Sequence, residues 1–322
     1  MAKVAQFLVV AWLLLTLNFA LPRLMPGAPL ADLADPQGSP IPLTQEARAR
    51  ILAYYGLDRP VAAQYWSYLA GLAHGDLGWS ISHNAPVSQV LGSRLRWTLQ
   101  LVGVATLAYL ALGAVLGALS AWNRGRLLDR MLLVTTFTVG AFPAFFLAML
   151  LILLFGVKLR WLPLGGARSV TGVSGPWALQ AADVVRHMLL PASTLVLTNL
   201  ADVYYLARNS LGQALGAGYI AMARAKGLPE HAVLFRHALP NALLPIVALA
   251  GLRLGATVMG AMMVEVAFAY PGIGLAIYEA CVGRDYPLLQ GAFLVTTLSV
   301  MLANLLADGL CRVLDPRLRR TG

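Results

Sequence analysis

Any chemistry in this chain has to come from a small set of side chains. The histidines, His74, His83, His187, His231 and His237, do not cluster. His231 and His237 fall on different faces of a helix, not at the i, i+4 spacing of a metal pair. There is no G-x-x-x-x-G-K-[ST] phosphate loop, no H-E-x-x-H zinc helix and no G-x-S-x-G nucleophile turn; Gly172-Val173-Ser174-Gly175 misses the last spacing. No catalytic residue and no metal site is assigned, and no cofactor is expected on this chain. What remains is a group of polar residues set inside apolar runs: Asn199, Asp202, Arg253, Asn304 and Asp308. A charge in such a run must be paired or face water, and it marks a solute path or a helix-to-helix contact. Arg253 falls ~18 Å past Asn241 along a helix, near mid-membrane. It can meet a solute, pair with Asp202 or Asp308, or reach carbonyls freed by Pro245. Asp202 and Asp308 lie nearer the inner ends of their runs and read as interfacial or subunit contacts.

A second feature is the basic stretch 208–241. Tyr219-Ile220-Ala221-Met222-Ala223-Arg224-Ala225-Lys226 is rich in helix formers. Gly227 suits a left-handed helix stop, with Lys226 ahead of it complementing the dipole. Pro229 and Glu230 open a second short helix, on which Ala232, Phe235 and Leu239 are expected to form an apolar stripe. A helix–glycine–helix of this kind is either a rigid handle for a partner or an amphipathic hairpin resting on headgroups.

The elements that position these residues follow from composition. The chain has 322 residues, 59% of them hydrophobic and 12% charged. Soluble domains carry about a quarter charged residues, so this chain cannot cover a water-facing surface and reads as an all-α membrane protein. Its net charge of +10 lies in small groups between apolar runs, as in cytoplasmic loops beside anionic lipid, and no nucleic-acid partner is expected. Six spans are expected, at 7–22 (with a start as early as Val4), 99–121, 131–157, 189–206, 242–264 and 288–310. Pro143, Pro191 and Pro245 are expected to bend or end helices. Among the short loops, the side holding both termini has the greater share of Lys and Arg, so both termini are expected in the cytoplasm. Lys3 and the run after it have features of a signal peptide. The run passes into Leu21-Pro22-Arg23 without a small-x-small site, so a retained anchor is expected.

The resulting layout is an anchor at 1–24, an extracytoplasmic segment at 25–96, a transmembrane core at 97–311 and a tail at 312–322. In the outer segment, Thr44 can cap a helix that stops at Gly56. A second helix follows Asp58 and Pro60, with Val61, Tyr65, Tyr68, Leu69 and Leu72 on one face. The segment is either a lid on the bundle or a docking surface. Cys281 and Cys311 fall on opposite sides of the membrane, beyond the ~7 Å reach of a disulfide.

Tyr219 to Pro229, continuing through Phe235-Arg236-His237-Ala238-Leu239-Pro240-Asn241-Ala242-Leu243-Leu244-Pro245, resembles the coupling loop of ABC importer permeases. That loop reads E-A-A, three residues, G, nine residues, I-x-L-P. Gly227, Leu239 and Pro240 match in register, while Ala221 replaces the glutamate and His237 the isoleucine. The wording A-R-A-K-G-L is similar to the dipeptide, oligopeptide and nickel branch, where the glutamate is commonly missing. Further matches run along the chain: Leu24-Met25-Pro26-Gly27-Ala28-Pro29, Tyr55-Gly56-Leu57-Asp58-Arg59-Pro60, Gly75-Asp76-Leu77-Gly78, Val264-Glu265-Val266-Ala267-Phe268, Tyr270-Pro271-Gly272-Ile273-Gly274, Asp285-Tyr286-Pro287, Asn304-Leu305-Leu306-Ala307-Asp308 and Leu314-Asp315-Pro316-Arg317.

The resemblance implies a type I ABC importer permease fold in a bacterial inner membrane. It further implies a second permease subunit, two cytoplasmic ATPase subunits that hold ATP and Mg, and an extracytoplasmic binding protein. The coupling residues would be Ala221, Ala223, Arg224, Ala225, Lys226, Gly227, Leu228, Leu239 and Pro240, with 223–228 as the contact itself. Family members more often carry an uncharged polar residue where Arg253 stands, a departure that bears on substrate choice. Peptides, nickel complexes and other small solutes all use similar permeases. A secondary transporter is the alternative; it would show inverted repeats, and none is seen.

Overall fold

Apolar runs that must satisfy every backbone amide internally fold as long helices, and the structure is mostly helix. The computed structural model describes residues 2–24, 58–170, 172 and 175–314. Helix α1 covers Ala2–Leu24, α2 Val61–Ala73, α3 Val87–Trp122, α4 Leu127–Gly140 and α5 Ala144–Leu151. Then come α6 (Trp177–Leu215), α7 (Gly218–Ala225), the single turn α8 (Glu230–Ala232) and α9 (Leu239–Ala267). Helices α10 (Ile273–Val282) and α11 (Tyr286–Leu314) complete the order. π-helical stretches at Ile152–Lys158 and Val233–Ala238 extend α5 and α8. An antiparallel hairpin, β1 (Trp79–Ser80) with β2 (Ala85–Pro86), pairs Trp79 with Pro86.

Three helices, Val87–Trp122, Trp177–Leu215 and Tyr286–Leu305, are long and apolar enough to cross a membrane among the described residues. The count becomes four if the bent pair Leu127–Gly140 and Ala144–Lys158 is one span. Helices overlap each of the six expected spans, with different bounds, but among the described residues only three or four of them are long and apolar enough to cross. The span expected at 131–157 is not one rod: it bends by 100° at the break that holds Pro143. Proline lacks the N–H an unbroken helix needs there and clashes with the preceding turn. Pro191 and Pro245, by contrast, lie inside α6 and α9, and neither ends its helix. Helix α6 runs on to Leu215, past the expected end of the fourth span at residue 206. The stretch between the fifth and sixth spans contains α10, and the last residues of the outer segment already belong to α3; neither was expected. The helix predicted from Thr44 to Gly56 and the tail from 315 lie outside the described residues, as does the side chain of Cys311. Cys281 is a free thiol in α10.

The chain divides into two compact units: Met1–Trp97 with Pro271–Leu298, and Thr98–Tyr270 with Ser299–Gly322. In the first, Asp285 fixes the hairpin. Its Oδ2 accepts hydrogen bonds from Ser80 Oγ (2.6 Å), Ser82 N (2.9 Å) and Ser82 Oγ (2.7 Å). Its Oδ1 accepts from Leu288 N at 3.1 Å, which caps the start of α11. Burying a carboxylate is costly unless such donors surround it, and Asp285 is fully buried. Arg94 and Glu279 add an ion pair at 2.8 Å.

In the second unit, α3 and α6 meet through small residues. A Cβ added at Gly113 would lie 2.7 Å from Val203 Cβ, and one at Gly117 would lie 2.5 Å from Ala207 Cβ and 2.6 Å from Tyr204 O. The helices touch backbone to backbone there, as small-x-x-x-small faces allow. Helix α9 is tied to α3 by Thr98 Oγ1 donating to Glu265 Oε1 at 2.7 Å and by Tyr109 OH with Thr257 Oγ1 at 3.2 Å. Gly165 sits so close to the end of α9 that a Cβ would come within 2.3 Å of Phe268 O.

Gly117→Leu should separate α3 from α6 and lower stability by about 1–3 kcal/mol, the usual cost of overpacking. Gly103→Ala in the same helix meets nothing within 4 Å and serves as the neutral control. Thermal unfolding in detergent reads the difference; equal melting of the two variants would refute the close contact.

Candidate functional site

The stretch singled out by its sequence forms a two-sided projection. Helix α7 ends in a left-handed turn: Gly227 has φ +76°, Gly227 N donates to Arg224 O at 2.9 Å and Leu228 N to Ala223 O at 3.3 Å. These are the two bonds of a Schellman motif, in which glycine avoids the Cβ penalty of positive φ. Pro229, at φ −66°, then precedes α8, and Val233 N donates to Pro229 O at 3.1 Å. The predicted stop and restart both fall where the sequence put them.

One side of the projection is seated in the protein. Ile220 and Ala223 of α7 pack with Val233, Ala238 and Ala242 and with Ala121 of α3 and Leu211 of α6. The expected stripe of Ala232, Phe235 and Leu239 is not the buried one. Val233 and Ala238 are fully buried while Phe235 is 65% exposed. The cause is the π-helical stretch from Val233 to Ala238. A π turn closes over five residues, not four, so residues five apart share a face and the α-helical phase no longer applies.

The other side is open. Tyr219, Met222, Leu228 and Phe235 are large apolar side chains exposed beside the charges of Arg224, Lys226 and Arg236. Ala221, Ala225, Gly227 and Pro240 are exposed as well, Leu239 is half-buried, and Ala223 is the buried member of the predicted coupling set. Arg224 also folds back across the turn, donating from Nε and Nη2 to Glu230 at 2.9 and 3.2 Å. That pair raises the Arg224 pKa through its hydrogen bonds and charge. As an exposed ion pair it contributes little to stability.

Beneath the projection lies a polar knot that the sequence did not announce. Asp129, in the first turn of α4, accepts from Arg208 Nε at 2.7 Å and Nη2 at 2.8 Å. It also accepts from Gly125 N at 2.9 Å and from Ser120 Oγ, which in turn meets Tyr204 OH at 2.6 Å. The Asp129 side chain is 4% exposed and that of Arg208 14%. The sequence signal was a lone acid, Asp129, in a short loop otherwise marked by Arg124, Arg126 and Arg130. Arg208, at the start of the basic stretch 208–241, is its partner.

The intramembrane polar residues divide. Arg253 of α9 is paired with Asp202 of α6, so of the partners open to it the structure uses Asp202. The pair is open on one side, with half of the Asp202 side chain accessible. Asn199 turns onto its own helix, donating to Leu195 O at 2.8 Å. Asn304 of α11 lies against α9, its Oδ1 3.2 Å from where a Cβ on Gly255 would stand. Asp308 is in α11, and its side chain lies outside the described residues. Glu265, fully buried in α9, was not singled out because it falls one residue past the expected end of its span at 264. No group of three or more metal-ligating side chains occurs among the described residues.

With this geometry in place, the chain can be set beside known proteins. The family model for the binding-protein-dependent transport system inner membrane component matches residues 113–320. The dipeptide transport system permease protein of Escherichia coli strain K12 is 36% identical over 94% of this chain and 93% of its own length. The oligopeptide transport system permease protein of Bacillus subtilis strain 168 is 33% identical, over 94% of this chain and 93% of its own. Among solved structures, an inward-facing conformation of the MetNI methionine ABC transporter superposes with a TM-score of 0.56 at 19% identity. It covers 70% of this chain and 97% of that one, a likeness of fold.

Asp129→Ala and Arg208→Ala should each destabilise the protein by about 3–5 kcal/mol, because each leaves a buried charge without its partner. Chemical unfolding of the purified variants in detergent measures this. Wild-type stability in either would mean that the pair does not hold α4 to α6.

Proposed function

The chain belongs to the family of binding-protein-dependent transport system inner membrane components, and from that premise we propose that it carries short peptides inward as one of two permease subunits. Two cytoplasmic ATPase subunits would bind ATP and Mg, and an extracytoplasmic protein would deliver the cargo. Both termini lie in the cytoplasm in this reading. The cargo class follows the names of the dipeptide and oligopeptide relatives, while nickel complexes remain the other cargo of the branch.

The observation that carries the coupling role is the two-sidedness of α7. Ile220 and Ala223 lock it to the body, while Met222, Arg224, Lys226 and Leu228 project from it. A displacement of the exposed face is therefore passed to α3, α6 and α9 through packed side chains. Closure of an ATPase pair can shift the spans only if nucleotide favours one of two arrangements, and a rigid seat converts that preference into movement. Residues 223–228 are the contact segment, with the buried Ala223 seating it and 224–228 meeting the partner. Within the membrane, Asn199, Asp202, Arg253, Asn304 and Asp308 are the proposed polar lining. A peptide has a charge of each sign at its ends, and the half-open Arg253–Asp202 pair presents the complement of both.

Gly227→Val provides the test. A Cβ at Gly227 meets nothing within 4 Å, so the protein has room for the side chain, but the backbone at φ +76° does not suit it. The strain of a β-branched residue there, about 1–2 kcal/mol, should lower the coupled geometry roughly tenfold. The variant should insert and retain its partner subunits on a pull-down, while ATP-driven peptide uptake into proteoliposomes falls by a similar factor. Normal uptake would remove the turn from the coupling role. Uptake driven by an ion gradient without ATPase partners would overturn the importer reading altogether.

A further inference from the structure

Helix α2 turns several hydrogen-bonding groups toward the protein. Its thirteen residues, VAAQYWSYLAGLA, contain no Asp, Glu, Lys, Arg or His. Gln64, Tyr65 and Tyr68 face the protein, while Ser67 is exposed beside Trp66. Tyr65 OH meets Thr16 Oγ1 at 2.8 Å, Tyr68 OH accepts from Asn18 Nδ2 at 3.1 Å, and Gln64 Oε1 accepts from Arg23 Nη2 at 2.6 Å. The Tyr65 and Tyr68 rings pack on Phe19 with centroids 5.1 and 5.6 Å away. The opposite face consists of Ala62, Trp66, Ala70 and Ala73, all exposed, with Trp66 at 68%. A helix on a water-facing lid would place its polar groups outward and its apolar ones inward. Here Gln64, Tyr65 and Tyr68 turn inward together with Leu69 and Leu72, Val61 and Trp66 are large apolar side chains left outward, and not one residue is buried.

The depth of α2 comes from its partner. Its contacts on α1 run from Thr16 to Arg23, and Thr16 lies ~12 Å along the axis from the outer end of α1 at Leu24. Leu17 and Leu21 of α1, in the same interval, are 55% and 50% exposed, so the apolar surface of α2 continues that of a helix already in the membrane. Acidic and basic residues return on both sides of α2, at Asp58 and Arg59 before it and at His74 and Asp76 after it. An uncharged helix bounded by charges and leaning on the outer part of an apolar span fits the boundary between headgroups and acyl chains. Tryptophan is the residue that boundary favours.

We propose that α2 is a helix half-immersed in the outer leaflet, with the face of Ala62, Trp66, Ala70 and Ala73 covered by phospholipid acyl chains. The outer segment is then anchored at two places, by α1 across the bilayer and by α2 along its surface, and any docking surface for an extracytoplasmic protein lies elsewhere on it. The inference rests on α1 crossing the membrane and is independent of cargo and of coupling.

The test is a nitroxide label at Trp66→Cys, with Cys281→Ser and Cys311→Ser, in the full chain with its co-purifying subunits in phospholipid nanodiscs. Power saturation should show a collision rate with oxygen several-fold above that with a water-soluble nickel chelate, while a label at Asp58→Cys shows the reverse order. Ala70→Cys reports the same face if the Trp66 variant folds poorly. A Trp66 label accessible to the nickel chelate would put the face in water and overturn the proposal. A label shielded from both reagents would mean that another subunit covers it, also overturning it. Immobilisation only on adding the binding protein would make it a docking face, with the same consequence. Transport failure in any variant leaves these readouts intact, so the two proposals stand or fall separately.

Discussion

Asp129 and Arg208 meet where α3, α4 and α6 converge, and the position of the exposed projection depends on that meeting. The carboxylate is satisfied by two guanidinium nitrogens, a backbone N–H and a serine hydroxyl. The next residue after Ser120, Ala121, already belongs to the apolar seat of α7, and Leu211 joins it one turn beyond Arg208. A charge pair taken out of water is costly unless its lone pairs find donors, and here the donors come from α3, α6 and the loop before α4, next to the seat of α7.

The same rule, that polar groups removed from water must find partners, organises the rest. Asp285 gathers three donors from the hairpin and one from α11. Glu265 and Thr257 of α9 bond to Thr98 and Tyr109 of α3. Arg253 is held by Asp202. Where no polar partner is available the helices close on glycine, as at Gly113 and Gly117. In a protein whose surroundings are as apolar as its core, association depends on such contacts and on close packing more than on the hydrophobic effect.

Two of the departures from regular α-helix change an axis or the facing of a side chain. The bend of 100° at Pro143 redirects one apolar run, and the π-helical stretch at Val233–Ala238 turns the lead-in of α9 so that Phe235 faces outward. The second is the more consequential, since it adds an aromatic ring to the exposed face of the projection. π turns carry poorer hydrogen bonding and persist where something is gained; here the gain is a single seat that accommodates both Val233 and Ala238.

Sequence by itself determined what local chemistry dictates. Long apolar runs with few charges require helices, Gly227 requires a left-handed stop, and Pro229 with Glu230 requires a restart, because each depends on neighbours within a turn or on the solvent as a whole. The turn of the projection was legible for that reason, whereas the Asp129–Arg208 pair beneath it was not. Tertiary structure decided everything that joins distant residues. Which carboxylate holds Arg253, that Asp129 answers Arg208, and that Tyr65 and Tyr68 turn inward on α1 are matters of helix placement, to which spacing along one helix is blind. The buried stripe before α9 was misplaced for a related reason: a π turn has the same residues as an α turn, and only packing selects between them.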